Sequence, residues 1–178
     1  MILIQNGRVL DPVTNTDQVM DVLLDESGIV KTGEHLEAEG ADVIDASGLV
    51  VAPGLMDAHV HFRDPGLTYK EDIFTGAAAA ARGGFTTVVC MANTKPTVDN
   101  VETLDLVQKK GEKALIHVLQ AAAISKGLKG EELTDMEALA EAGAAGFTDD
   151  GIPLMDEKLI VSAMEKAKEL GLPLAFHE

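Results

Sequence analysis

The residues best suited to chemistry in this sequence are histidines and carboxylates at short, regular spacings. His59 and His61 stand two apart in Asp57-Ala58-His59-Val60-His61. On a strand both would leave from the same side, so two neutral imidazoles could approach one divalent ion. His-x-His alone is weak, because partly exposed histidines reach this spacing by chance; its place after Pro53-Gly54 strengthens it. Arg63 continues the alternation and could fork onto a substrate carboxylate, an ion pair with a nearby aspartate being the plainer use. Asn93, in Met91-Ala92-Asn93-Thr94-Lys95-Pro96, offers an amide donor and acceptor for a carboxylate or a ring amide, or for its own loop.

Two further positions carry ligand chemistry. Asp149 and Asp150 lie in Gly146-Phe147-Thr148-Asp149-Asp150-Gly151. A carboxylate's two oxygens can each bind a divalent cation, so one of the pair could bridge two ions; an Asx turn before Gly151 is the bland alternative. On a continuing strand the two side chains diverge, so only one should face a pocket. His177 follows the apolar run 172–176 and offers another imidazole. His35 and His117 read as structural, and Cys90, the single cysteine, as a small buried hydrophobe.

The elements that would position these residues change character along the chain. Short strands at 2–4, 8–10, 19–24, 29–30 and 43–44 are punctuated by Asn6-Gly7, Ser27-Gly28 and Ser47-Gly48, dipeptides that tolerate positive φ. They make a small β-rich, sandwich-like module over residues 1–52. From residue 53 the pattern becomes strand, loop, helix. Apolar runs at 50–56, 85–91, 115–123, 144–147 and 172–176 alternate with helical stretches near 70–82, 101–110, 131–142 and 156–170. Glycines at 83–84, 111, 143 and 171 suit left-handed helix ends.

Strands separated by helices pair in parallel through right-handed crossovers, so residues 53–178 read as α/β. Gly-x-Gly-x-x-Gly is missing after the first strand, which disfavours an open dinucleotide-binding sheet. A partial (β/α)8 barrel of about five strands remains, and barrel chemistry collects at strand C-terminal ends, where His59, Asn93, Asp150 and His177 fall.

Composition sets outer limits. The net charge of −16 disfavours nucleic acid or an anionic membrane as partner. With 46% apolar but only 3% aromatic residues, a core must be built from aliphatic side chains. A lone cysteine, and the want of a signal-like or membrane-spanning stretch, point to a cytoplasmic protein.

Taken together, Pro53-Gly54-Leu55-Met56-Asp57-Ala58-His59-Val60-His61, the turn Arg63-Asp64-Pro65-Gly66, Asn93-Thr94 and Gly146-Phe147-Thr148-Asp149-Asp150-Gly151 resemble the dihydroorotase family, in the class whose bridging ligand is an aspartate. The first motif is shared across the amidohydrolase superfamily, and the Arg-Asp-Pro-Gly turn with Asp-Asp-Gly is more specific. The resemblance implies metal ligands His59, His61, Asp150 and His177 around Zn2+, two ions per complete site. It implies substrate contacts from His61, Arg63 and Asn93. The implied reaction is reversible hydrolysis of (S)-dihydroorotate to N-carbamoyl-L-aspartate in pyrimidine synthesis, by zinc-activated hydroxide.

A complete enzyme of this kind would be expected to form a homo-oligomer and could associate with aspartate transcarbamoylase. Two departures stand out. The family commonly has proline before the substrate-reading asparagine, where this chain has Ala92. It also draws another histidine ligand and a catalytic aspartate from beyond Glu178, so the 178 residues alone are expected to be inactive and to bind zinc weakly. Dihydropyrimidinase, hydantoinase and allantoinase share parts of the pattern but use a carboxylated lysine as bridge, and the nearest lysine here is Lys158. A non-catalytic assembly partner is the alternative of another class.

Overall fold

The structure, a computed structural model, describes residues 1–176. The chain forms two compact units, Met1–Pro53 and Gly54–Glu178.

In the first unit, β1 (Ile2–Asp11), β2 (Thr16–Asp25), β3 (Gly28–Gly33) and β4 (Asp42–Asp45) form a sheet in the order β3-β2-β1-β4, and β5 (Val50–Val51) also pairs with β1. The two hairpins are antiparallel; β4 and β5 run parallel to β1. Leu3, Val22, Leu36 and Ala46 are its buried apolar residues.

Asn6-Gly7 is not the turn the sequence suggests. β1 runs straight through it as one strand, with a register shift between Ile4 and Gly7. Asn6 takes φ 62°, and a Cβ on Gly7 would fall 2.5 Å from the Val51 side chain. The Asn6 N–H freed by this bulge donates to buried Asp21 at 2.9 Å, as does the Leu36 N–H. Those bonds, Asn6 first, hold the Asp21 carboxyl below the ordinary aspartate range.

The second unit alternates strand and helix. It contains β6 (Leu55–Val60), α1 (Ile73–Arg82), β7 (Phe85–Cys90), α2 (Val101–Gly111), β8 (His117–Gln120), α3 (Met136–Glu141), β9 (Phe147–Thr148), α4 (Glu157–Leu170) and β10 (Leu174–Ala175). Strands β6-β7-β8 are parallel, as are β9 and β10, and a parallel bridge from Ala122 to Phe147 joins the two sets. The core packs Ile73, Ala77, Leu104, Val107, Leu139, Ala163 and Ala167 of the helices against Val88, Cys90 and Phe147 of the strands.

Several boundaries differ from the sequence reading, for local reasons. The run 50–56 divides: Val50 and Val51 pair with Arg8 and Val9, and β6 starts only at Leu55, because Pro53 has no N–H to continue a ladder. Helix α1 begins at Ile73 because the Asp72 carboxylate accepts the N–H groups of Phe74 and Thr75. The stretch 131–142 yields only Met136–Glu141, since the Glu132 carbonyl and the Thr134 N–H are taken by Lys126 and Ile124. Gly84, Gly143 and Gly171 are left-handed, but Gly111 remains helical and is small for another reason: a Cβ there would meet the Val118 carbonyl at 3.0 Å.

Candidate metal centre

Strand β6 delivers His59, and His61 follows it directly. Their rings meet edge to face, with centroids 5.2 Å apart. Asp150 arrives from beyond β9, its N–H donating to the Thr148 hydroxyl at 3.1 Å. One carboxylate oxygen lies 3.2 Å from His59 Nε2 and the other 3.3 Å from His61 Nε2. One ligand atom from each of the three residues falls within 4.8 Å of the others. The Asp150 side chain is only 6% exposed, whereas those of His59 and His61 are 49% and 27% exposed, so a buried carboxyl group faces two imidazoles that open outward.

This donor set suits a divalent cation. Two imidazole nitrogens and a carboxylate oxygen are the usual zinc donors. Neutral Nε2 lone pairs facing a carboxylate would repel it, and a cation among them turns that arrangement favourable.

Asn93 stands in the same group. Its Oδ1 is 2.9 Å from His61 Nδ1, and its Nδ2 is 3.0 Å from an Asp150 carboxylate oxygen and 3.3 Å from the Asp150 carbonyl. The sequence offered Asn93 either a substrate or its own loop; its contact with both His61 and Asp150 carried no local signal.

Arg63 takes φ 59° and its carbonyl accepts the Leu67 N–H at 2.9 Å. Among the described residues no ion pair engages its guanidinium, so the plainer use suggested by the sequence is not seen. The neighbouring acid is committed elsewhere: Asp64, buried, pairs with Lys110 Nζ at 2.6 Å. The Arg63 turn is also pinned to the loop after β7, since Lys95 N–H donates to the Pro65 carbonyl and a Cβ on Gly66 would fall 1.6 Å from the Lys95 oxygen.

Asp149 diverges from Asp150, although β9 ends at Thr148 and neither residue is on the strand. Its carboxylate accepts the N–H groups of Ile124 and Ser125 at 2.7 and 3.0 Å and the Ser125 hydroxyl. Burial pushes the Asp149 carboxyl up, against those bonds. His177, the remaining ligand expected from the sequence, lies outside the described residues. A concavity of about 710 Å³ beside Gly111 and His117 contains none of these groups, so donor chemistry rather than cavity size locates the site.

Fold and site together define an α/β protein of the amidohydrolase type. The structure matches an L-hydantoinase (dihydropyrimidinase) from Arthrobacter aurescens with TM-score 0.82 at 20% identity, over 99% of this chain and 40% of that one. A dihydropyrimidinase from Brevibacillus agri NCHU1002 gives TM-score 0.78 at 28% identity, over 99% and 39%.

Sequence narrows the class. The family model described as Dihydro-orotase-like matches residues 48–177, and the chain belongs to that family. A dihydroorotase of Clostridioides difficile (strain 630) is 62% identical over the whole of this chain, which spans 42% of that relative's length.

Proposed function

We propose that this chain is the N-terminal portion of a dihydroorotase that hydrolyses (S)-dihydroorotate reversibly to N-carbamoyl-L-aspartate in pyrimidine synthesis. The observation carrying this reading is the division of one buried carboxylate, Asp150, between His59 and His61 at 3.2 and 3.3 Å. The 62% identity to a dihydroorotase supplies the substrate class.

In this reading His59, His61, Asp150 and His177 would hold two zinc ions, which would supply polarisation of the ring carbonyl and activation of water. Asp150, whose carboxylate has two donor oxygens, would be the ligand able to serve both cations. Arg63, which pairs with no acid among the described residues, forks onto the substrate carboxylate, and His61 and Asn93 face the substrate beside it. Water adds to the ring carbonyl carbon, the carbon–nitrogen bond breaks, and the departing nitrogen takes a proton. The aspartate that serves as general base, and one more histidine, belong to a part of the enzyme outside these residues.

The second unit then makes about five strands of a (β/α)8 barrel, and the first makes part of a sandwich-like module. Leu55, Met56 and Leu119, 54%, 59% and 41% exposed, fit strands whose apolar faces await further chain. The intact protein would work in the cytoplasm as a homo-oligomer, with aspartate transcarbamoylase a possible associate.

The test is to assay the full-length protein against dihydroorotate, hydantoin and allantoin. Dihydroorotate should be preferred, and Arg63→Ala should raise KM far more than it lowers kcat. Preference for hydantoin or allantoin would transfer the assignment to the lysine-bridged relatives; an unchanged KM in Arg63→Ala would remove its carboxylate role.

A further inference from the structure

Asn93 lies between two of the three cluster residues, and its hydrogen bonds fix more than its own loop. A carboxylate and a backbone carbonyl only accept, so the amide NH2 is the end that faces Asp150, at 3.0 and 3.3 Å. The amide oxygen therefore faces His61 Nδ1, 2.9 Å away. An amide oxygen also only accepts, so in the neutral ring Nδ1 must carry the hydrogen. That leaves the lone pair on His61 Nε2, the nitrogen turned toward Asp150.

We infer that Asn93 is a positioning residue of the metal centre: its amide bonds His61 Nδ1 at one end and the Asp150 carboxylate at the other, so both ligands are turned to offer lone pairs to one cation. The inference rests on reading His59, His61 and Asp150 as a metal site, and gives Asn93 a duty separate from any contact with substrate. Partners of this kind orient imidazole ligands and raise their basicity. The backbone around Asn93 supports the placement: Ala92 is fully buried, and its carbonyl accepts the N–H groups of Thr94 and Val98 at 2.8 and 3.1 Å.

The experiment uses the full-length protein as wild type, Asn93→Ala and Asn93→Asp. Nitrogen-15 spectra of the histidine rings in metal-free protein at neutral pH report the His61 tautomer, with His61→Ala assigning the signal. The wild type should show a proton on Nδ1, the nitrogen that faces the Asn93 oxygen. Asn93→Ala should move His61 toward Nε2–H, the form free imidazole prefers, while Asn93→Asp keeps an acceptor facing the ring and so keeps Nδ1–H. Zinc affinity measured against a chelator should fall about 10–100-fold in Asn93→Ala.

An unchanged tautomer together with zinc affinity within about threefold of wild type, outside the range such partners usually govern, would overturn the inference. A rise in KM alone would mean that Asn93 only touches substrate. Should the wild type bind no zinc, the metal-centre reading fails, and the tautomer spectra still decide what Asn93 does.

Discussion

Asp149 and Asp150, neighbours in sequence, turn their carboxylates to different tasks. Asp150 meets His59 and His61, while Asp149 gathers the backbone N–H groups of Ile124 and Ser125 and the Ser125 hydroxyl. One residue supplies the site and the other fixes the loop after β8 beside it. Both carboxylates are buried, each by its own set of partners.

Asp149→Ala should therefore cost stability. It strands two buried N–H donors, and the expected loss is about 3 kcal/mol. Urea unfolding of the full-length variant measures it. A loss under about 0.5 kcal/mol, the size of an ordinary surface substitution, would mean that the loop does not depend on this carboxylate.

Asp21 should make the first unit sensitive to acid. Its folded carboxyl titrates below the ordinary 3.8, through the N–H groups of Asn6 and Leu36 first and the neighbouring His35 last. The folded state therefore holds the proton less readily than the unfolded chain. The stabilisation is complete well above pH 3.8 and is lost as pH falls through 3.8 toward the lower folded value. Asp21→Asn should flatten that dependence and cost about 1–2 kcal/mol at neutral pH. Parallel acid-unfolding curves for wild type and variant would contradict it.

Cys90 should be chemically silent. Burial pushes its thiol up to about 12, the nearby Asp64 charge acts in the same direction, and a hydrogen bond from the Phe62 backbone only partly opposes them. Iodoacetamide at neutral pH should leave the folded protein unmodified and label it fully in denaturant. Rapid labelling of the native protein would show the thiol to be accessible.

Much of the site was legible because its spacing is local. The two-residue spacing of His59 and His61 sufficed to bring them together although β6 stops at Val60, whereas β9 stops at Thr148 and strand alternation does not account for how Asp149 parts from Asp150. The crossover helices were legible from their alternation with apolar runs and from glycines such as Gly84, Gly143 and Gly171, while the Asp72 cap that starts α1 at Ile73 was not read. What escaped the sequence depends on partners far along the chain. Asp64 pairs with Lys110, 46 residues on, and Asn93 meets Asp150, 57 residues on. Nothing in the motif around either residue announces its partner. The division of the 50–56 run likewise follows from β1, which recruits Val50 and Val51 by pairing rather than by any preference of their own.

The most direct test of the metal centre is elemental analysis of purified full-length protein as wild type, His59→Ala, His61→Ala and Asp150→Ala, with His117→Ala, an exposed histidine of β8, as the control. Zinc should copurify with the wild type and with His117→Ala and be depleted in the other three. Equal zinc content in all five proteins, or none in the wild type, would contradict the account.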